Sequence, residues 1–167
     1  MKHLSCFVVA ACLAGSAQAD ALGDFNPIFA NCQATYKAIK AGGVVADTPP
    51  NWVRKITTSH MLKYDITQKF YSSPFVAVMT IELTEAFGSA DSQAAAQQLI
   101  VADNNRIKRD VTRISYIYQN GRWAATEAEQ ATEIKRTRVE PWGPATVTKV
   151  SGDSLRSSAE PWAACVK

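Results

Sequence analysis

A chain of 167 residues with 18 Lys and Arg against 15 Asp and Glu carries a formal charge of +3 at pH 7. That balance is too even to call for a polyanion, so nucleic acid is not an expected partner. No apolar run reaches the roughly 20 residues that a ~30 Å hydrocarbon core requires, which argues against a membrane span, and the length suits one domain with a proper core.

Met1-Lys2-His3, an apolar run from Leu4 to Gly15 broken by Ser5, and then Ser16-Ala17-Gln18-Ala19 follow one another at the start. A basic start, a short apolar segment and a small-x-small end are what a signal peptidase reads, so residues 1–19 are expected to be a cleavable signal and 20–167 a single exported domain. Removing Lys2 leaves 17 basic side chains against 15 acidic ones, a net +2. A competing lipid-attachment site at Val9-Ala10-Ala11-Cys12 has only eleven residues before Cys12, little for an export signal. The short signal looks bacterial, which makes the periplasm the expected address and secretion beyond it the alternative.

Cys6 and Cys12 leave with the signal, and Cys32 and Cys165 remain. Two cysteines in an oxidising compartment are expected to pair, here closing nearly the whole domain into one loop. A structural staple is the reading, since no Cys-x-x-Cys suggests redox chemistry.

Asn26-Pro27 supplies an N-cap and a first-turn proline, after which Ile28, Cys32, Tyr36 and Ile39 recur at helical spacing until Gly42-Gly43. Val44 to Trp52, with Thr48-Pro49-Pro50-Asn51, reads as a loop. From Val53 to Tyr71 the period becomes two. Ile56, Leu62, Tyr64, Ile66 and Phe70 share one side of this strand, and Thr57, Ser59, Lys63, Asp65, Thr67 and Lys69 the other. Past Ser72-Ser73-Pro74, a second strand runs from Phe75 to Phe87, with Phe75, Ala77, Met79, Ile81 and Leu83 on one face.

Asp91-Ser92 can cap a short helix through Ala102, ended by Asn104-Asn105. Val111 to Gln119 reads as a third strand, and Asn120-Gly121 predicts a type I′ hairpin turn. In that register Tyr118 faces Trp123, Tyr116 faces Ala125 and Ile114 faces Glu127. A short strand at Ala145 to Val150, a turn at Ser151-Gly152-Asp153 and a polar, mobile tail from Asp153 to Ala159 complete the pattern. Glu-Pro-Trp occurs at 140–142 and again at 160–162, but the flanking sequence does not repeat.

These elements predict an α+β fold, an N-terminal helix packed on an antiparallel meander of four to five strands. Helix-then-meander is also the layout of cystatin-like and NTF2-like folds. That likeness is one of shape only, and such folds host many unrelated functions.

Chemistry is thinly represented. The exported part has one histidine, His60, and no Gly-x-Ser-x-Gly elbow, phosphate loop or Asp-x-Asp-x-Asp-Gly loop, so no catalytic residue, metal ligand or cofactor is assigned. Tyr116, Tyr118, Trp123 and Glu127 share a face in the expected register and form a candidate pocket, where aromatic surroundings would raise a carboxyl pKa. Arg106, Lys108, Arg109, Arg113 and Arg122, followed by Lys135, Arg136 and Arg138, form a basic cluster. Arg109, Arg113, Arg122 and Arg136 are its candidate partner-binding residues, suited to an acidic protein or an anionic envelope surface; a solvated strand face is the plain alternative. The expectation is an exported, non-catalytic binding or protein-interaction module of inhibitor, immunity or envelope-accessory type. A small-ligand carrier with an aromatic-lined sheet and a carboxylate-dependent periplasmic enzyme are the alternatives.

Overall fold

A computed structural model describes residues 8–39, 42–46, 51–70, 72–101, 106–136 and 140–166. Helix α1 (Val8–Ala38) precedes six strands: β1 (Gly42–Ala46), β2 (Trp52–Thr67), β3 (Val76–Ala90), β4 (Arg106–Gln119), β5 (Arg122–Lys135) and β6 (Thr146–Ser151). They form one antiparallel sheet in chain order, a strict meander. Short helix α2 (Gln93–Gln98) lies between β3 and β4, and α3 (Ser154–Ser157) and a closing 3₁₀ turn (Pro161–Val166) follow β6.

The fold is α+β as expected, with six strands rather than four to five. The additional strand is β1, where a loop was expected. Gly42-Gly43 opens a strand that pairs with Trp52–Ile56, while Thr48, Pro49 and Pro50 lie outside the described residues. Helix α1 begins far upstream of Asn26 and passes the expected cleavage point after Ala19 without a break. Pro27 lies inside it and forfeits the N–H bond to the carbonyl of Gly23. Burial outweighs that loss, because Ala21, Phe25, Cys32 and Tyr36 are buried at helical spacing and Ile28 packs beside them. Asn26 is therefore no N-cap; its Oδ1 accepts the Tyr64 hydroxyl at 2.9 Å.

Two bulges decide which side chains face α1. In β2 the register shifts between Thr57 and Ser59, so Leu62, Tyr64 and Ile66 face the helix while Ile56, expected beside them, points the other way. Phe70, also placed on that side from sequence, lies in the turn after β2 and is exposed. In β3 the expected face holds, with Phe75, Ala77, Met79, Ile81 and Leu83 buried. Ser92 caps α2, its Oγ accepting from the Ala95 N–H at 3.2 Å, but the helix stops at Gln98 where Leu99 turns extended. The hairpin turn has the positive φ its type demands, 54° at Asn120 and 73° at Gly121.

The C-terminal segment departs most from expectation. In place of a mobile tail, α3 buries Leu155, and the closing turn buries Trp162, Ala163, Cys165 and Val166 against the helix. Cys32 and Cys165 are disulfide-bonded with Cα atoms 4.7 Å apart, and the Tyr116 hydroxyl donates to the Cys165 carbonyl at 2.9 Å. The two Glu-Pro-Trp segments grip opposite faces of the sheet. Trp162 lies on the helix side, its Nε1 donating to Gln130 Oε1 at 2.9 Å, whereas Trp142 lies on the outer side beneath the cations of Arg109 and Lys135.

Candidate functional site

The expected pocket residues meet α1 rather than open space. Phe25, fully buried, sits about 5 Å in centroid distance from Tyr64, Tyr116 and Trp123 and fills the space among them. Trp123 Nε1 donates to the Ala21 carbonyl at 2.8 Å, and the Tyr118 hydroxyl to Asp24 at 2.6 Å. This aromatic group is the seat of the helix.

Glu127 does not join it. The register of β4 and β5 shifts between Ser115 and Tyr116, which puts Glu127 opposite Ser115 and Ala128 opposite Ile114. One extra residue in β5 moves the carboxylate to the outer face, away from the face that carries Tyr116, Tyr118 and Trp123. An alternation count could not locate the bulge, since Ala124 to Ala128 fits either face equally well.

The candidate arginines are dispersed. Arg113 and Arg122 do share the outer face, but Arg122 pairs with Gln119, six positions along β4 from Arg113 and roughly 20 Å away. Arg109 donates from Nε to Glu133 at 2.8 Å, also contacts that carboxylate through Nη2, and stacks on Trp142. Arg113 faces Glu129, which is bridged to Lys149 at 2.7 Å. Arg136 is exposed just past β5, Lys108 lies on the inner face, and Arg138 is outside the described residues. The outer face is thus a ladder of alternating charge.

Polar groups converge instead at the C-terminal end of α1, on the inner face, around a cavity of about 60 Å³ lined in part by Tyr36, Glu85, Lys108, Asp110, Gln130 and Trp162. Glu85, Asp110 and Thr112 are buried there. Lys55 Nζ lies 2.6 Å from Glu85 Oε1. Asp110 is held on both oxygens, by Lys108 at 2.7 Å and by the Thr132 hydroxyl at 2.6 Å. Burial, reinforced by the charges of Asp110, Glu160 and Glu85, pushes the Tyr36 phenol far above its ordinary range. Glu85 and Asp110 each have an ammonium beside them, which offsets the cost of burying their charge. Sequence reading missed this cluster because Lys55, Glu85 and Lys108 look like solvated strand residues until the β2 bulge turns Lys55 inward. Among the described residues, no group of three or more His, Cys, Asp or Glu could hold a metal ion, and no helix is long and apolar enough to cross a membrane.

The buried phenols predict an alkaline limit. Burial also raises the Tyr116 pKa. An unfolded phenol ionises near 10.0, so above that pH the unfolded chain binds fewer protons than the folded one. The stabilisation is complete below about pH 10 and is lost as pH climbs toward the folded values. Urea midpoints followed from about pH 8 to about pH 11 should fall only above about pH 10, and Tyr36→Phe should flatten that limb. Phenolate absorbance from all five tyrosines near pH 10 without loss of structure would refute it.

One edge of the sheet is open. β1 covers β2 only over Trp52–Ile56, and from Thr57 to Thr67 the side of β2 away from β3 meets no strand among the described residues. Hydrogen-bond parity shows how that edge is armed. Tyr118 N–H donates to the Phe75 carbonyl at 2.9 Å; carried across β3, the alternation leaves His60, Leu62, Tyr64 and Ile66 directing N–H and C=O outward. Met61 (49% exposed) lies on this edge, and Phe70 (65% exposed) just beyond its end. Comparison with known proteins finds no matching family model and no match among curated proteins or solved structures.

Proposed function

We propose that this chain is an exported, non-catalytic protein-interaction module that engages its partner by strand addition at the open edge of β2. The carrying observation is the stretch from Thr57 to Thr67, whose outward N–H and C=O groups form a ready template for another strand, with Met61 and Phe70 as apolar anchors. The Cys32–Cys165 bond supports an oxidising address, for which we propose the periplasm, reached with a signal cleaved after Ala19. Ala21 and Phe25, buried core residues of α1, lie beyond that cleavage point and stay with the domain. The helix-then-meander order supports a cystatin-like or NTF2-like layout as a proposal of shape, from which no function is carried over.

A photo-reactive residue at Met61, compared with one at Arg113, tests the reading in cells expressing the full chain. Adducts are expected from Met61 and should vanish in His60→Pro, which removes an outward N–H from an exposed edge position and leaves the bonds to β3 intact. Adducts from Arg113 alone would overturn strand addition in favour of the outer charged face.

A further inference from the structure

We infer that the strand added at this edge is β2 of a second copy of the chain, paired antiparallel about a two-fold axis through Tyr64. The inference rests on the strand-addition reading and names its partner.

Three features of the edge are self-complementary in that register, and the third is absent from the neighbouring ones. First, a two-fold centred on Tyr64 opposes Tyr64 to itself and Leu62 to Ile66 of the second copy. All three are among the residues whose N–H and C=O point away from β3, so each opposed pair can exchange two backbone bonds. Second, Leu62 and Ile66 both face α1, so their pairing joins the two apolar inner faces into one layer. Third, the outer face opposes Lys63 of each copy to Asp65 of the other, which creates two cross-strand ion pairs related by symmetry. Lys63 and Asp65 are exposed and have no ion-pair partner among the described residues of their own chain.

Shifting the axis removes this match. Centred on Lys63, the pairing sets Lys63 against its own copy, a like-charge contact, and leaves Asp65 opposite Met61 with no counter-charge. Centred on Leu62, it places Lys63 opposite Met61 and leaves Asp65 opposite Ser59. The charges that would repel an arbitrary strand from this edge therefore admit one partner in one register. Geometry also leaves room: β1 ends beside Ile56, so the ladder from Met61 to Thr67 is clear of it on both copies.

Sedimentation velocity over a concentration series, on protein expressed as the full chain and purified as the cell leaves it, tests the inference. The wild type is expected to show a monomer–dimer equilibrium. Lys63→Asp and Asp65→Lys each turn two attractions into two repulsions and should weaken dimerisation about tenfold. The double exchange Lys63→Asp with Asp65→Lys rebuilds both pairs and should restore it, a rescue that a folding defect would not give. A wild type that remains monomeric throughout overturns the inference, as does a dimer indifferent to all three variants. The Met61 adduct separates the layers. A monomer that still forms adducts with other proteins there refutes self-pairing and leaves strand addition standing; a monomer without them refutes both.

Discussion

Reducing the Cys32–Cys165 bond, or replacing Cys165 with Ser, should destabilise the domain by about 5 kcal/mol in the chain-entropy view, in which the cost of the cross-link falls on the unfolded ensemble and grows with the loop it closes. The loop here spans a sequence separation of 133 residues in a chain of 167. A second loss compounds the first. The closing turn is tethered to α1 by the bond, and Trp162, Ala163 and Val166 complete the core from that tether. Urea unfolding with and without reductant measures the total. Hydrogen exchange should show Leu155 and Trp162–Val166 losing protection ahead of β3 and β4, because those strands are paired on both sides. A change under about 1 kcal/mol, with the C-terminal segment still protected, would mean that the buried side chains rather than the cross-link hold this segment.

Which parts of this fold could be read from sequence follows from what each signal encodes. Alternation encodes a face, and it places Phe75 to Leu83 correctly because β3 is paired on both sides without interruption in that stretch. The Asn-Gly turn encodes a register near its own position, and the pairs Tyr118 with Trp123 and Tyr116 with Ala125 stand as expected. Neither signal encodes a bulge. Each bulge adds one residue to one strand and inverts every face assignment beyond it, which is how Glu127 leaves the aromatic side and Lys55 enters the inner face. The C-terminal segment fails for another reason. Its polar residues Ser154, Arg156, Ser157 and Ser158 outnumber Leu155, and only the tertiary contact shows that the single leucine and Trp162 are core. The cysteine pairing was legible because the expected signal takes Cys6 and Cys12 and leaves Cys32 and Cys165 as one pair.

Thr58 lies where β2 has just passed the end of β1, so the kink occurs at the boundary between the covered and the open part of the edge. Bulges blunt an edge locally. Beyond this one the strand resumes regular pairing with β3 from Ser59 to Thr67, without proline, glycine or a further shift. A protein that needed only to protect this edge would be expected to interrupt the longer open part, and the distribution of devices along β2 instead leaves that part regular.

Phe25→Ala should cost about 3–5 kcal/mol, the range for removing a fully buried aromatic side chain. Its ring meets Tyr64, Tyr116 and Trp123 in tilted or edge-to-face contact, so truncation removes apolar burial and leaves three rings around a void that they cannot all collapse into. Phe25→Leu keeps most of the volume and should lose clearly less. The pair of variants also decides how the aromatic group is used. If Phe25 is the wedge that seats α1, both variants lower the unfolding midpoint in that order, and Trp123 emission shifts only on unfolding. If the group were instead a ligand site that the helix covers loosely, Phe25→Ala would cost under about 1 kcal/mol and the wild type would bind small aromatic molecules with a change in Trp123 emission. The contacts favour the first outcome, because Ala21 and Asp24, on the same stretch of α1, accept hydrogen bonds from Trp123 and Tyr118 and leave those two polar tips already satisfied.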